Sequence, residues 1–149
     1  MITRFTIFIR LVIVTCIIAT MPICSYGQIP PSISSQTTYE QILDFIERWR
    51  QAWQGKQLEE YISCYAEDFK EGKKDLRAWR QHKKYLNRKY KTINVSVDEI
   101  KIDLQKNAAT VQFYQVYESD KYFEEGYKLL VLTYTDEKGW QILREIWLN

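Results

Sequence analysis

Lys83 is the residue whose type and position most invite chemistry. Leu76, Trp79, Lys83, Leu86 and Tyr90 recur every three or four residues, so a helix would aim this lysine inward with an apolar stripe. A buried ammonium must find a partner or lose its charge. It could be a cation on a pocket wall, facing an anionic ligand group or Glu145. Equally, its stem could cover apolar surface while the amine reaches solvent. Glu145 interrupts an apolar C-terminal segment and could pair with Lys83 or Lys128 across the same cavity, or strand alternation could turn it to water. Gln115 and Tyr117 share the phase of Val111 and Phe113, which makes Gln115 a candidate buried amide needing partners, structural or ligand-borne. Tyr61, Tyr65 and Trp79, with Trp49, could line an aromatic cavity; aromatic residues at helical spacing otherwise form core. The candidate ligand-pocket set is therefore Tyr61, Tyr65, Trp79, Lys83, Gln115, Tyr117, Lys128 and Glu145.

Other chemistries find little support. His82 is the single histidine, and Cys64 is the one cysteine beyond residue 27, so no His/Cys metal set can be assembled. His82 has no nucleophile partner nearby in sequence for a triad. We expect no catalytic residue, no metal and no cofactor.

Residues 1–27 read as a secretory signal. Arg4 and Arg10 supply positive charge, Leu11 to Ile23 is almost wholly apolar, and Ser25 and Gly27 place small residues before Gln28. The competing reading is an uncleaved anchor, which would have to tolerate Arg10 inside the span. Cleavage predicts an exported, periplasmic protein with no stable membrane span. The chain has 21 Lys+Arg and 19 Asp+Glu, and residues 1–27 hold two arginines and no acid. The mature form is then formally neutral, and nothing in its charge argues for nucleic acid. Locally, 70–91 is strongly basic, a solvated helix face or a surface for an acidic partner.

The elements that must hold the candidate residues follow from periodicity. Residues 28–37, with Pro30 and Pro31, read as a linker, and 38–149 as one domain. Thr38 resembles an N-cap with Gln41 three positions on, before the apolar face Ile42, Phe45, Ile46, Trp49 and Trp53. A second helix is predicted from Gln57 to about Ala66, and a third from near Asp75. After Tyr90 the period changes to two. Strands are predicted over Ile93–Leu104, Ala109–Ser119, Tyr127–Thr135 and Trp140–Leu148, with a bulge or turn at Asp98-Glu99. Three helices followed by antiparallel strands predict an α+β fold, the helices packed on one face of a curved sheet. The last two strands look apolar on both faces, so the back of the sheet is expected to meet a second copy.

The ordered set Trp49…Trp53, Tyr61…Tyr65…Phe69, Leu76-x-x-Trp79-x-x-x-Lys83, Val111-x-Phe113-x-Gln115-x-Tyr117-x-Ser119, Lys128-x-Leu130 and Trp140-x-Ile142-x-x-Glu145-x-Trp147 resembles a known family. It is similar to the nuclear-transport-factor-2-like (SnoaL-like) domain at the C-terminus of bacterial cell-shape-determining L,D-carboxypeptidase/L,D-transpeptidase proteins. In those proteins the chemistry belongs to a separate domain with a catalytic His and a Ser-x-Gly-Cys-x-Arg type motif. Cys64 stands in Ile62-Ser63-Cys64-Tyr65, without the glycine turn. The resemblance therefore implies a cone-shaped, non-catalytic accessory domain of the envelope that holds a small ligand or peptidoglycan fragment. Two alternatives stand: an enzyme of the ketosteroid-isomerase or polyketide-cyclase type using Glu145 or Asp68, and a structural dimerisation module.

Overall fold

The computed structural model describes residues 32–148, with side chains from Thr37 onward. The signal-peptide expectation lies outside the described residues. No helix among the described residues is long and apolar enough to cross a membrane.

Helix α1 runs over Ser32–Gln54, starting six residues before Thr38. Among the described side chains, Thr37 to Gln41 are not buried and the first buried one is Ile42, so the expected linker over 28–37 carried no apolar period to mark the helix that begins at Ser32. Helix turns propagate cheaply from a nucleus and need no buried face. Farther along, Ile42, Phe45, Ile46, Trp49 and Trp53 form the buried stripe that the spacing predicts. Helix α2 is short, Leu58–Ser63. Strand β1 (Tyr65–Glu71) follows, then β2 (Lys74–Asp75) and helix α3 (Leu76–Lys89). Asp75 caps α3, its side chain accepting from Ala78 N at 2.8 Å.

Strand β1 corrects the expected extension of the second helix to Ala66. Tyr61, Tyr65 and Phe69 are spaced by four, and four residues return to the same face of a strand as well as of a helix. The spacing alone could not separate the two. The remaining strands are β3 (Ile93–Gln105), β4 (Ala108–Ser119), β5 (Phe123–Thr135) and β6 (Gly139–Leu148). They form one curved six-stranded sheet in the order β2-β1-β6-β5-β4-β3. All neighbours are antiparallel except β1 and β6, which run parallel.

Two irregularities set which side chains face the helices. In β3 the register shifts between Asp98 and Lys101, with Glu99 at φ 55°; the slip is a bulge, and Ile102 and Leu104 stay on the core side. In β6 Leu132 pairs with Ile142 but Val131 pairs with Arg144, so Leu143 is the extra residue. Ile142 and Glu145 are three apart and would face opposite ways in a regular strand. The bulge brings both to the inner face, where they are buried.

The core lies between the helices and this inner face. Arg50 and Gln54 of α1 bond the Val95 carbonyl (2.9 Å) and amide (3.1 Å), tying the helix to edge strand β3. The outer face is less covered than the sequence suggests. Leu129, Val131 and Leu143 are only partly buried, and Tyr127, Ile146 and Leu148 are exposed, because the helices pack on one side alone.

Candidate functional site

At the open end of the helix–sheet interface lies a cavity of about 310 Å³. Its wall includes Trp53 from α1, Trp79, His82, Lys83 and Leu86 from α3, Tyr90, Tyr117 from β4, Lys128 from β5, and Glu145 and Trp147 from β6. Glu71, Lys74, Tyr122 and Glu124 complete it. Helical steps of four and three aim Trp79, Lys83 and Leu86 together, and Tyr90 follows at the C-cap.

The floor is an ion pair. Lys128 Nζ donates to Glu145 Oε2 at 3.0 Å, with both side chains under 5% exposed. Lys128 pairs in register with Trp147 and Leu130 with Glu145, so the two ions are diagonal neighbours on one sheet face. Behind Glu145 lies a chain of phenols. Tyr65 donates to Glu145 Oε1, Trp49 Nε1 donates to the Tyr65 oxygen at 2.9 Å, and the Tyr61 and Tyr65 hydroxyls are hydrogen-bonded to each other. A phenol has one proton, and the carboxylate is the strongest acceptor within its reach. Burial raises the Glu145 pKa, but the charges of Lys128 and Lys83 and the bonds from Tyr65 and Lys128 outweigh it; the carboxyl is held below its ordinary range. Burial and the Glu145 charge push Tyr61 and Tyr65 well up, so both stay neutral phenols.

Lys83 is different. It is only 5% exposed, yet it joins none of the ion pairs among the described residues. Its Nζ instead sits 3.8 Å from the ring centre of Trp53, 4.5 Å from Trp79 and 5.2 Å from Tyr61. Burial drives its pKa down to about 7, Glu145 partly offsets that, and the Lys128 charge adds to the lowering. Nearby, Trp53 Nε1, Trp79 Nε1 and the Tyr117 hydroxyl are buried without a partner among the described residues.

Of the eight residues expected to form a pocket, Trp79, Lys83, Tyr117, Lys128 and Glu145 line this cavity. Tyr61 and Tyr65 stand behind it as supports of Glu145. Gln115 is fully buried away from it, and neither its Nε2 nor its Oε1 has a partner among the described residues. It lies opposite Gly126 on β5. Gly126 has φ 153°, a conformation that favours glycine, and it lies under the Trp147 ring, which a Cβ there would meet at an ordinary contact distance of 3.5 Å. Asp68 is exposed on β1 and does not line the cavity, which removes it as a pocket acid. Sequence reasoning missed Trp53 and Trp147 as wall residues. Their signal was present: Trp53 ends the α1 stripe, and Trp147 follows Glu145 by two. His82 also reaches the wall; burial and the Lys83 charge lower its pKa. Among the described residues no cluster of three His, Cys, Asp or Glu could hold a metal ion. Cys64 is buried with its Sγ 3.5 Å from the Glu60 carbonyl, and burial raises its thiol pKa.

Helices on one face of a curved, unclosed sheet, with a cavity at their open end, define an NTF2-like domain. The chain belongs to the family described as the Cds6 C-terminal NTF2-like domain, whose model matches residues 41–146. A structure of Bd1075 from Bdellovibrio bacteriovorus is 34% identical with a TM-score of 0.70, covering 77% of this chain and 42% of that one. The helical cell shape determining protein Pgp2 of Campylobacter jejuni is 22% identical, TM-score 0.67, covering 73% of this chain and 40% of its own. This chain thus spans well under half the length of either. A candidate scytalone dehydratase from Novosphingobium aromaticivorans shares the fold at 13% identity and TM-score 0.67, covering 76% and 85% of the two chains. Comparison with curated proteins gave no match.

Proposed function

We propose that this chain is an exported, non-catalytic accessory domain of the bacterial envelope that seats an anionic ligand, a peptidoglycan fragment, in the cavity. The observation that carries the reading is Lys83: a buried cation held by three aromatic faces, with no carboxylate paired to it among the described residues, at the wall of a cavity. A ligand carboxylate would supply the missing counter-charge, and the tryptophans would bury its apolar body. Similarity to a cell shape determining protein supports the envelope setting. Isothermal titration with muropeptides at pH 6, where Lys83 is protonated, is the test. Lys83→Met is expected to weaken binding by about tenfold or more, the scale of losing one desolvated charge partner. Equal affinity in the two proteins would overturn the reading.

The enzymatic alternative assigns the acid–base role to Glu145 or Asp68, and Asp68 does not line the cavity. Glu145 has both oxygens engaged, which makes it a support for the cations rather than a proton acceptor.

The outer sheet face takes a second copy in this reading. Tyr114, Tyr127, Leu129, Val131, Ile146 and Leu148 present apolar surface across three adjacent strands. Sedimentation velocity is expected to give a dimer for the native chain and a monomer for Leu129→Lys. A native monomer at high micromolar concentration would refute this.

A further inference from the structure

Most buried lysines are neutralised by a carboxylate that locks their N–H groups in hydrogen bonds. Lys128 is of that kind, bonded to Glu145. Lys83 is not. Its Nζ is bounded by the faces of Trp53, Trp79 and Tyr61, and its side chain lines the cavity. An amine becomes nucleophilic when it is desolvated or set beside another cation, because both disfavour the ammonium. Lys83 has both features, being 5% exposed and close enough to feel the Lys128 charge.

We infer that Lys83 is a carbonyl-capturing amine that condenses with a small aldehyde or ketone in the cavity to form an imine. The Nζ lone pair attacks the carbonyl carbon and the C=O π bond opens onto oxygen, giving a carbinolamine. The C–O bond then breaks as the C=N bond forms. Both amine protons end on the departing oxygen, which leaves as water. No oxidant or reductant is needed and the proton count closes. His82 lines the same wall and is the group assigned to pass a proton from the nitrogen to the leaving oxygen. The protonated imine is a cation of nearly the same position as the ammonium, so the three aromatic faces that hold one can hold the other.

The charged and titratable groups facing this site come from every surrounding element. They are Tyr61 on α2, Glu71 on β1, Lys74 on β2, His82 on α3, Tyr90 at its C-cap, Tyr117 on β4, Tyr122 between β4 and β5, Glu124 and Lys128 on β5, and Glu145 on β6. Glu71 and Lys74 are paired to each other at 2.7 Å. Glu145, Glu71 and Glu124 favour the ammonium, Lys128 opposes it, and burial outweighs them all. The free amine is therefore available near neutrality, whereas an ordinary exposed lysine is almost wholly protonated there.

The inference uses the cavity proposed for the anionic ligand but goes beyond that reading and does not depend on it. The test is reductive trapping of the purified chain at pH 7.5 with limiting benzaldehyde and cyanoborohydride, followed by peptide mapping. Lys83 is expected to acquire its benzyl group at least tenfold faster than its exposed neighbour Lys84 or exposed Lys101 and Lys121. Its labelling rate should level off above about pH 7, while the surface lysines keep accelerating towards pH 10. Lys83→Arg keeps the cation and should reduce early labelling to the surface background. Acetaldehyde serves as a smaller second probe, so that bulk cannot hide the site. Labelling spread over surface lysines with Lys83 spared by both aldehydes would overturn the inference. Titration with muropeptides reduced to their alditols, which carry no free carbonyl, reads anion seating separately.

Discussion

Glu145→Ala is expected to cost about 3–5 kcal/mol of folding stability, the scale of removing one partner from a buried ion pair. The substitution leaves Lys128 buried with no counter-ion and removes the acceptor of the Tyr65 proton. It also deletes the negative charge that helps Lys83 stay protonated. For a domain of this size the melting midpoint should fall by roughly 10–20 °C. Thermal and urea denaturation monitored by circular dichroism measure it, and a loss below about 1 kcal/mol would contradict the picture. The double variant Lys128→Met/Glu145→Leu removes both charges and should recover most of the deficit, since apolar replacements of buried pairs are often neutral or better. The acid limb follows from the same group. Its folded pKa is lowered, so below the ordinary carboxylate value the unfolded chain takes up a proton that the folded chain refuses. Stability is then present above about pH 4.5 and drains away as pH falls through the folded pKa. Glu145→Gln should lack that part of the acid limb.

Lys83→Met is expected to do the reverse, stabilising the fold while harming the site. A lysine pKa lowered to about 7 means that the folded state resists a proton the unfolded state holds up to about pH 10.5. Below pH 7 both states are protonated and the full penalty is present. Between pH 7 and 10 the unfolded chain binds the extra proton, so stability rises with pH. The lowering corresponds to about 5 kcal/mol. The aromatic faces return part of it, at about 1–2 kcal/mol for a desolvated cation–π contact. A net gain of about 3–4 kcal/mol at pH 6 is therefore expected for Lys83→Met, or about 10–15 °C in the midpoint. The variant should also lose the rise in stability between pH 7 and 10. If Lys83→Met melts below the native chain at pH 6, the ammonium has a protein partner and its site reading fails. Stability surrendered at a ligand site is a common trade.

The gain and loss come from the same kind of residue on neighbouring elements. Lys128 and Lys83 are both buried lysines against tryptophan, with Lys128 Nζ 4.7 Å from the Trp147 ring centre. Only the carboxylate distinguishes them. Glu145 can satisfy one ammonium by a direct bond, and geometry awards it to the lysine on the adjoining strand.

Much of this was readable from residue order because burial imposes a period. The stripe through Leu76, Trp79, Lys83, Leu86 and Tyr90 placed the lysine inward, and the cavity wall carries Trp79, Lys83, Leu86 and Tyr90. The alternation of Val111, Phe113, Gln115 and Tyr117 put Gln115 in the core, and the broken phase at Asp98-Glu99 marked the β3 bulge. What the period could not carry was decided by the folded chain. Tyr61-x-x-x-Tyr65-x-x-x-Phe69 fits helix and strand equally, and pairing of β1 with the distant β6 settles it as strand. Glu145 lies three residues after Ile142, a spacing that alternation reads as outward. The extra residue at Leu143 turns it in, and that extra residue is visible only against the register of β5. Local sequence thus determined that a lysine would fall on an apolar helical stripe and that a sheet would follow the helices, while the burial of its amine was left to the folded chain. The tertiary structure decided which lysine received the buried carboxylate of Glu145, because partner choice depends on distances between elements that no local spacing encodes.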